Sequence, residues 1–70
     1  METYVLVVCV RGQQSACVFN SHEEAMREGA KMAREHECSP YTRSPLPAHV
    51  QFRWRSRANK DYVEVLRPKA

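Results

Sequence analysis

Residues 3–10 read TYVLVVCV, apolar on both alternating rows and rich in β-branched side chains. That pattern predicts a strand covered on both faces, or central in its sheet. Residues 15–20 are expected to return as the second arm of a hairpin. In the turn Arg11-Gly12-Gln13-Gln14, glycine first of two central residues gives the type II′ preference and a loop at Gly12-Gln13. Cys9 then opposes Ala16, Cys17 opposes Val8, and the two sulfurs fall on opposite faces. A three-residue loop would instead bring them together.

Polarity next changes period. Ser21 with Glu24 three residues on is a capping box, and Glu23 and Glu24 suit the positive end of a helix dipole. From there to about His36, Ala25, Met26, Gly29, Ala30 and Ala33 recur at helical spacing. This stripe of small residues fits a helix lying close to a sheet. Gly29 costs about 1 kcal/mol of helix propensity relative to alanine, and close approach is a physical reason for it.

Residues 37–48, ECSPYTRSPLPA, hold three prolines and two Ser-Pro steps. Each proline removes a backbone donor and biases its predecessor to extended geometry, so a loop is expected here. Two strands follow, at residues 49–56 and 61–66, joined by a bend at Arg57-Ala58-Asn59-Lys60, with Pro68 ending the last. The order β-β-α-β-β makes one small α+β domain over residues 1–70: a four-stranded antiparallel sheet with one helix packed on one face. The strand from His49 has a charged row and belongs at an edge, which gives the spatial order 2-1-4-3.

The segment HVQFRWRSR, residues 49–57, alternates apolar and polar. Val50, Phe52 and Trp54 are assigned to the helix side with Tyr4, Leu6, Val8, Val10, Cys17, Phe19, Val63 and Val65. The other face then runs from Val5, Val7, Cys9, Ala16 and Val18 through Tyr62 and Glu64 to His49, Gln51, Arg53 and Arg55. An uncovered face that is apolar on one side and basic-aromatic on the other reads as a binding surface. Its contacts are expected at Gln51, Arg53, Arg55, Arg57, Lys60 and Tyr62. The competing reading has the proline loop folded over the valines while the arginines solvate an edge strand.

Bulk properties narrow the function classes. A 70-residue chain buries only roughly 60–65% of its unfolded surface, and no deep catalytic cleft is expected. Net charge is +3 and the pI about 9.0, which favours acidic partners. No membrane span or signal peptide is read. The chain looks like a complete small open reading frame, and a cytoplasmic location is expected. Three cysteines, an odd count, argue for reduced thiols. His36, Cys38 and His49 lack a fourth ligand at zinc spacing. Cys38 lacks a loop suited to an oxyanion hole, and no glycine-rich phosphate loop exists. No enzyme activity, cofactor or metal is expected.

The shape resembles that of small phage-encoded inhibitors of bacterial defence, the type I-F anti-CRISPR proteins. The likeness lies in Ala33-Arg34-Glu35-His36-Glu37-Cys38 and the basic-aromatic strand after it, about a third of the chain; the proline-rich loop replaces a shorter connection. It implies a non-catalytic inhibitor in the host cytoplasm. Such an inhibitor would occupy a positive or mixed-charge groove of the guide-RNA surveillance complex and block target DNA, with Arg53, Arg55 and Lys60 as basic contacts. The alternative is a nucleic-acid-binding module using Arg53, Arg55, Arg57, Lys60 and Tyr62. Arginines on alternate strand positions are spaced roughly 7 Å apart, much like successive phosphates. A homodimer through the valine face or an edge strand is a third option.

Overall fold

The computed structural model describes residues 3–41, 45–58 and 60–68. Its elements run β1 (Tyr4–Val10), β2 (Gln13–Phe19), α1 (His22–Glu35), β3 (Cys38–Pro40), β4 (Val50–Ser56) and β5 (Tyr62–Leu66). They form one antiparallel sheet in the order β2-β1-β5-β4-β3. The expected α+β class and the order of the four long strands hold. The correction is a fifth strand, β3, inside the segment read as loop. It pairs Ser39 with Arg55 and Pro40 with Trp54, so β4 is flanked on both sides and the charged row does not lie at an edge. The rest of that loop at 42–44, and Asn59 in the bend, lie outside the described residues.

The first hairpin turns one residue earlier than expected. Arg11 and Gly12 both have positive φ, 55° and 78°, the two left-handed positions of a type I′ turn. Val10 then pairs with Gln13, Cys9 with Gln14 and Leu6 with Cys17. The slip changes every partner but moves the register by two residues, so the faces are preserved. Cys17 shares the face of Leu6 while Cys9 lies on the other, and all three cysteines are free.

Helix α1 starts where the capping residues place it. The Ser21 hydroxyl accepts from the Glu24 amide at 3.3 Å, and Glu23 and Glu24 occupy the first turn. It ends at His36, and Glu37 takes the left-handed conformation at φ 56°. The helix buries Ala25, Gly29 and Ala33 against Leu6, Val8, Trp54, Val63 and Val65 of the sheet. A Cβ built on Gly29 would stand 2.8 and 2.9 Å from two ring carbons of Trp54 and 3.2 Å from Leu6 Cδ1. Close approach is therefore the reason for that glycine: the indole of Trp54 lies where a side chain would be.

Val50 departs from its assigned face. A register shift between Val50 and Phe52 sets Val50 opposite Leu66 but Phe52 opposite Val65. Such a bulge admits one extra residue, here Gln51, and breaks the alternation. Phe52 and Trp54 stay on the helix side, their rings 4.6 Å apart, while Val50 joins the Val5–Leu66 row on the far side.

Candidate functional site: the far face and its cationic end

Three rows cross the sheet on the side away from the helix. The first is Val18, Val5, Leu66 and Val50; the second Ala16, Val7, Glu64 and Arg53; the third Gln14, Cys9, Tyr62, Arg55 and Ser39. The apolar-to-basic gradient is thus present, but the face is not bare. Val50 is only 1% exposed and Val7 is buried, whereas Val18 is 64% exposed. The chain entering β4 is bound down: Val50 N–H donates to the Pro47 carbonyl at 2.9 Å, and Arg67 N–H to the His49 carbonyl at 2.8 Å. Of the valine patch, Val18 alone stands open, Val5 being half-buried.

The basic row divides by function. Arg53 points both Nε and Nη2 at one oxygen of Glu64, directly opposite it in the register, and both side chains are half-buried. Its charge is neutralised within the sheet. Arg55 sits between two tyrosines, its guanidinium 5.5 Å from the ring centre of Tyr41 and 5.7 Å from that of Tyr62. Each contact lies within the ~6 Å range of a cation–π attraction, worth about 0.5–1 kcal/mol near the surface. Arg53 also approaches Tyr41, at 5.9 Å. The Tyr41 amide donates to the Arg53 carbonyl at 2.9 Å, which fixes the tyrosine over the row.

Tyr62 is held from the other side. Its hydroxyl accepts from Gln14 Nε2 at 3.2 Å. Burial, then the neighbouring Cys9 and Glu64, pushes the phenol above its ordinary range, so it stays a neutral hydroxyl through physiological pH. Gln51 is the half-buried bulge residue and contributes spacing rather than charge.

At one end of the sheet the face opens into a groove between the β1–β2 turn, β3 and the β4–β5 bend. Arg11, Arg55, Arg57 and Lys60 line it against the carboxylates of Glu37 and Asp61. Four cations face two anions, so the groove is net positive. Arg11, Arg57 and Lys60 are exposed. Asp61 is partly engaged: it accepts from the Arg11 amide at 3.1 Å, and its own N–H donates to Ser56 Oγ at 3.1 Å.

The sequence pattern missed Arg11, Tyr41 and Asp61. In the pattern Arg11 carries only turn chemistry. Tyr41 follows β3 directly, and its signal was the extended bias of CSPY. Asp61 marks only the start of a strand in that pattern.

The sulfur chemistry is quiet. The Cys38 thiol is buried near the carbonyls of His36 and Asp61, at 3.7 and 3.9 Å. Burial, then the Asp61 charge, pushes its pKa up; a nucleophile needs the opposite shift. Among the described residues no three His, Cys, Asp or Glu side chains gather to hold a metal ion. No helix among them is long and apolar enough to cross a membrane. Compared with protein-family patterns, curated proteins and solved structures, the chain matches none.

Proposed function

We propose that this protein is a non-enzymatic binding protein that docks the cationic end of its sheet on a macromolecular partner. In the specific form supplied by the resemblance to phage-encoded inhibitors, the partner is a bacterial CRISPR surveillance complex, and docking blocks target DNA recognition. The observation that carries the reading is the groove in which Arg11, Arg57 and Lys60 stand exposed around Arg55, itself lodged between Tyr41 and Tyr62. Arginine and tyrosine held in fixed geometry are the residue types that anchor protein interfaces, because little side-chain entropy remains to be lost.

The sign of the charge narrows the mechanism. A net-positive groove on a +3 chain is repelled by a cationic DNA-binding channel. Acidic protein surface, or the phosphates of a bound guide, are the complementary targets.

Nucleic-acid binding is the second reading, favoured by the same cations. Against it, Tyr62 already lends one ring face to Arg55 and its hydroxyl to Gln14, which restricts its use as a base-stacking platform. Salt separates the two. Affinity for nucleic acid falls steeply with salt, in proportion to the phosphates contacted; a cationic groove on an acidic protein surface is screened too, but without counterion release from a polyphosphate its dependence is shallower.

The specific form is tested by plating a targeted phage on bacteria that carry type I-F immunity and express the chain. The expected result is restored plaques with the natural sequence and none with Arg57→Glu/Lys60→Glu. Failure of the natural sequence to restore plaques discards the CRISPR partner. These positions are cleaner than Arg53, whose replacement by glutamate would set two carboxylates against each other inside the sheet.

A further inference from the structure

The two edges of this sheet are unlike. The β3 edge is three residues long and includes Pro40, two of the devices that keep sheet edges from pairing. The β2 edge is seven residues long, Gln13–Phe19. It contains no charged residue, no proline and no register shift against β1. Six of its seven residues are exposed, among them Val18 at 64%.

We propose that two copies of the chain pair through the outer edges of β2, giving a two-fold dimer with one continuous ten-stranded sheet. The register follows from the hairpin. A two-residue turn closes on a pair that exchanges both backbone hydrogen bonds, and such pairs alternate along the ladder. Val10–Gln13 is the closing pair. Gln13, Ser15, Cys17 and Phe19 therefore direct their amides and carbonyls to β1, while Gln14, Ala16 and Val18 direct theirs outward.

Those three outward residues are symmetric about Ala16. Antiparallel pairing with Ala16 opposite its own copy matches Gln14 with Val18 on both sides and forms about six backbone hydrogen bonds. In this arrangement both helices lie on the same side of the joined sheet, and Val18 is covered.

A second copy is the occupant because the strand complements itself. It is neutral, although the chain carries +3, so two of these edges meet without charge repulsion. The short, proline-bearing β3 edge cannot continue the pattern, so pairing closes at two copies instead of growing a filament. The area sets the strength. A strand of this length presents an edge of roughly 24 Å by 10 Å, well short of the roughly 800 Å² per partner of a standard stable interface. A weak, concentration-dependent dimer is the result.

The test needs no partner and is independent of the docking function. Solution mass is measured in reducing buffer, to exclude disulfides through exposed Cys17, from low micromolar to near-millimolar protein. The natural chain should move from monomer to dimer. Ala16→Lys and Ala16→Glu each place like charges face to face across the two-fold axis, and should weaken the dimer by up to about fivefold. Mixing the two variants should restore a heterodimer. Ala16→Pro removes the central outward donor while leaving pairing with β1 intact, and should weaken the dimer as well, with circular dichroism confirming the fold. Monomer mass throughout for the natural chain overturns the proposal. So does a dimer that is indifferent to Ala16→Lys, or one that appears only without reductant.

Discussion

Gly29→Ala tests whether the helix–sheet contact is as close as described. In an exposed helix, alanine would gain about 1 kcal/mol over glycine. Here the added Cβ would meet Trp54 ring carbons at 2.8 and 2.9 Å, closer than carbon atoms tolerate. The ring has little room to retreat, since Trp54 is buried and packs against Phe52 at 4.6 Å. Overpacking of this kind costs about 1–3 kcal/mol. The clash should therefore outweigh the propensity gain, for a net loss of about 1 kcal/mol and a fall in melting temperature of roughly 4–8 °C for a domain of this size. Urea and thermal unfolding followed by far-ultraviolet circular dichroism give the number. In a Trp54→Phe background the smaller ring frees the space, so Gly29→Ala should become neutral or stabilising, with a coupling of about 1 kcal/mol or more in the double-mutant cycle. If the single substitution stabilises the natural chain by the full propensity difference, the indole does not lie over Gly29 and the packing described is wrong.

Other outcomes follow from the same geometry. Arg11 occupies the first left-handed position of a type I′ turn, where asparagine before glycine is preferred; Arg11→Asn should raise stability by about 0.5–1 kcal/mol, and an unchanged melting temperature would count against the turn assignment. Breaking the half-buried Arg53–Glu64 pair with Arg53→Gln should cost about 1–3 kcal/mol, between exposed and fully buried pairs; a cost within error of zero would mean that Arg53 is free for a partner. Burial holds a proton on Cys38 that the unfolded chain releases near the ordinary thiol value of about 8.5. The resulting stability is fully present below that pH and is lost as pH rises toward the folded-state value. Cys38→Ala should flatten the alkaline decline of the unfolding free energy; an identical decline in the variant assigns it elsewhere. In native buffer a thiol reagent should modify exposed Cys17 first and buried Cys38 last.

The order of the long strands was legible because two-sided apolar runs such as TYVLVVCV are stable only between neighbours, and because Ser21 and Glu24 mark a helix start by local hydrogen bonding. The face of each cysteine was legible even with the turn misplaced, since an even register slip leaves side-chain direction unchanged. Two features were hidden for physical reasons. Proline argues against strand pairing at most positions, yet at the end of a three-residue edge strand its missing N–H matters little, and so β3 read as loop. The bulge that turns Val50 over depends on packing at the start of β4, and no residue type at Gln51 announces it. The charged row was visible from alternation alone. That Arg53 is neutralised while Arg57 and Lys60 stand open depends on register across to Glu64, which periodicity does not reveal.

The central claim, that the cationic end of the sheet is the docking surface, is tested most directly by affinity capture from bacterial lysate with and without nuclease. Three forms are compared: the natural chain, Arg57→Glu/Lys60→Glu, and Arg27→Glu/Lys31→Glu. The last pair reverses two exposed cations on the helix and changes net charge equally. The expected result is a nuclease-resistant species held by the natural chain and the helix variant but lost from Arg57→Glu/Lys60→Glu. Equal capture by all three forms, or equal loss from both variants, would contradict the claim.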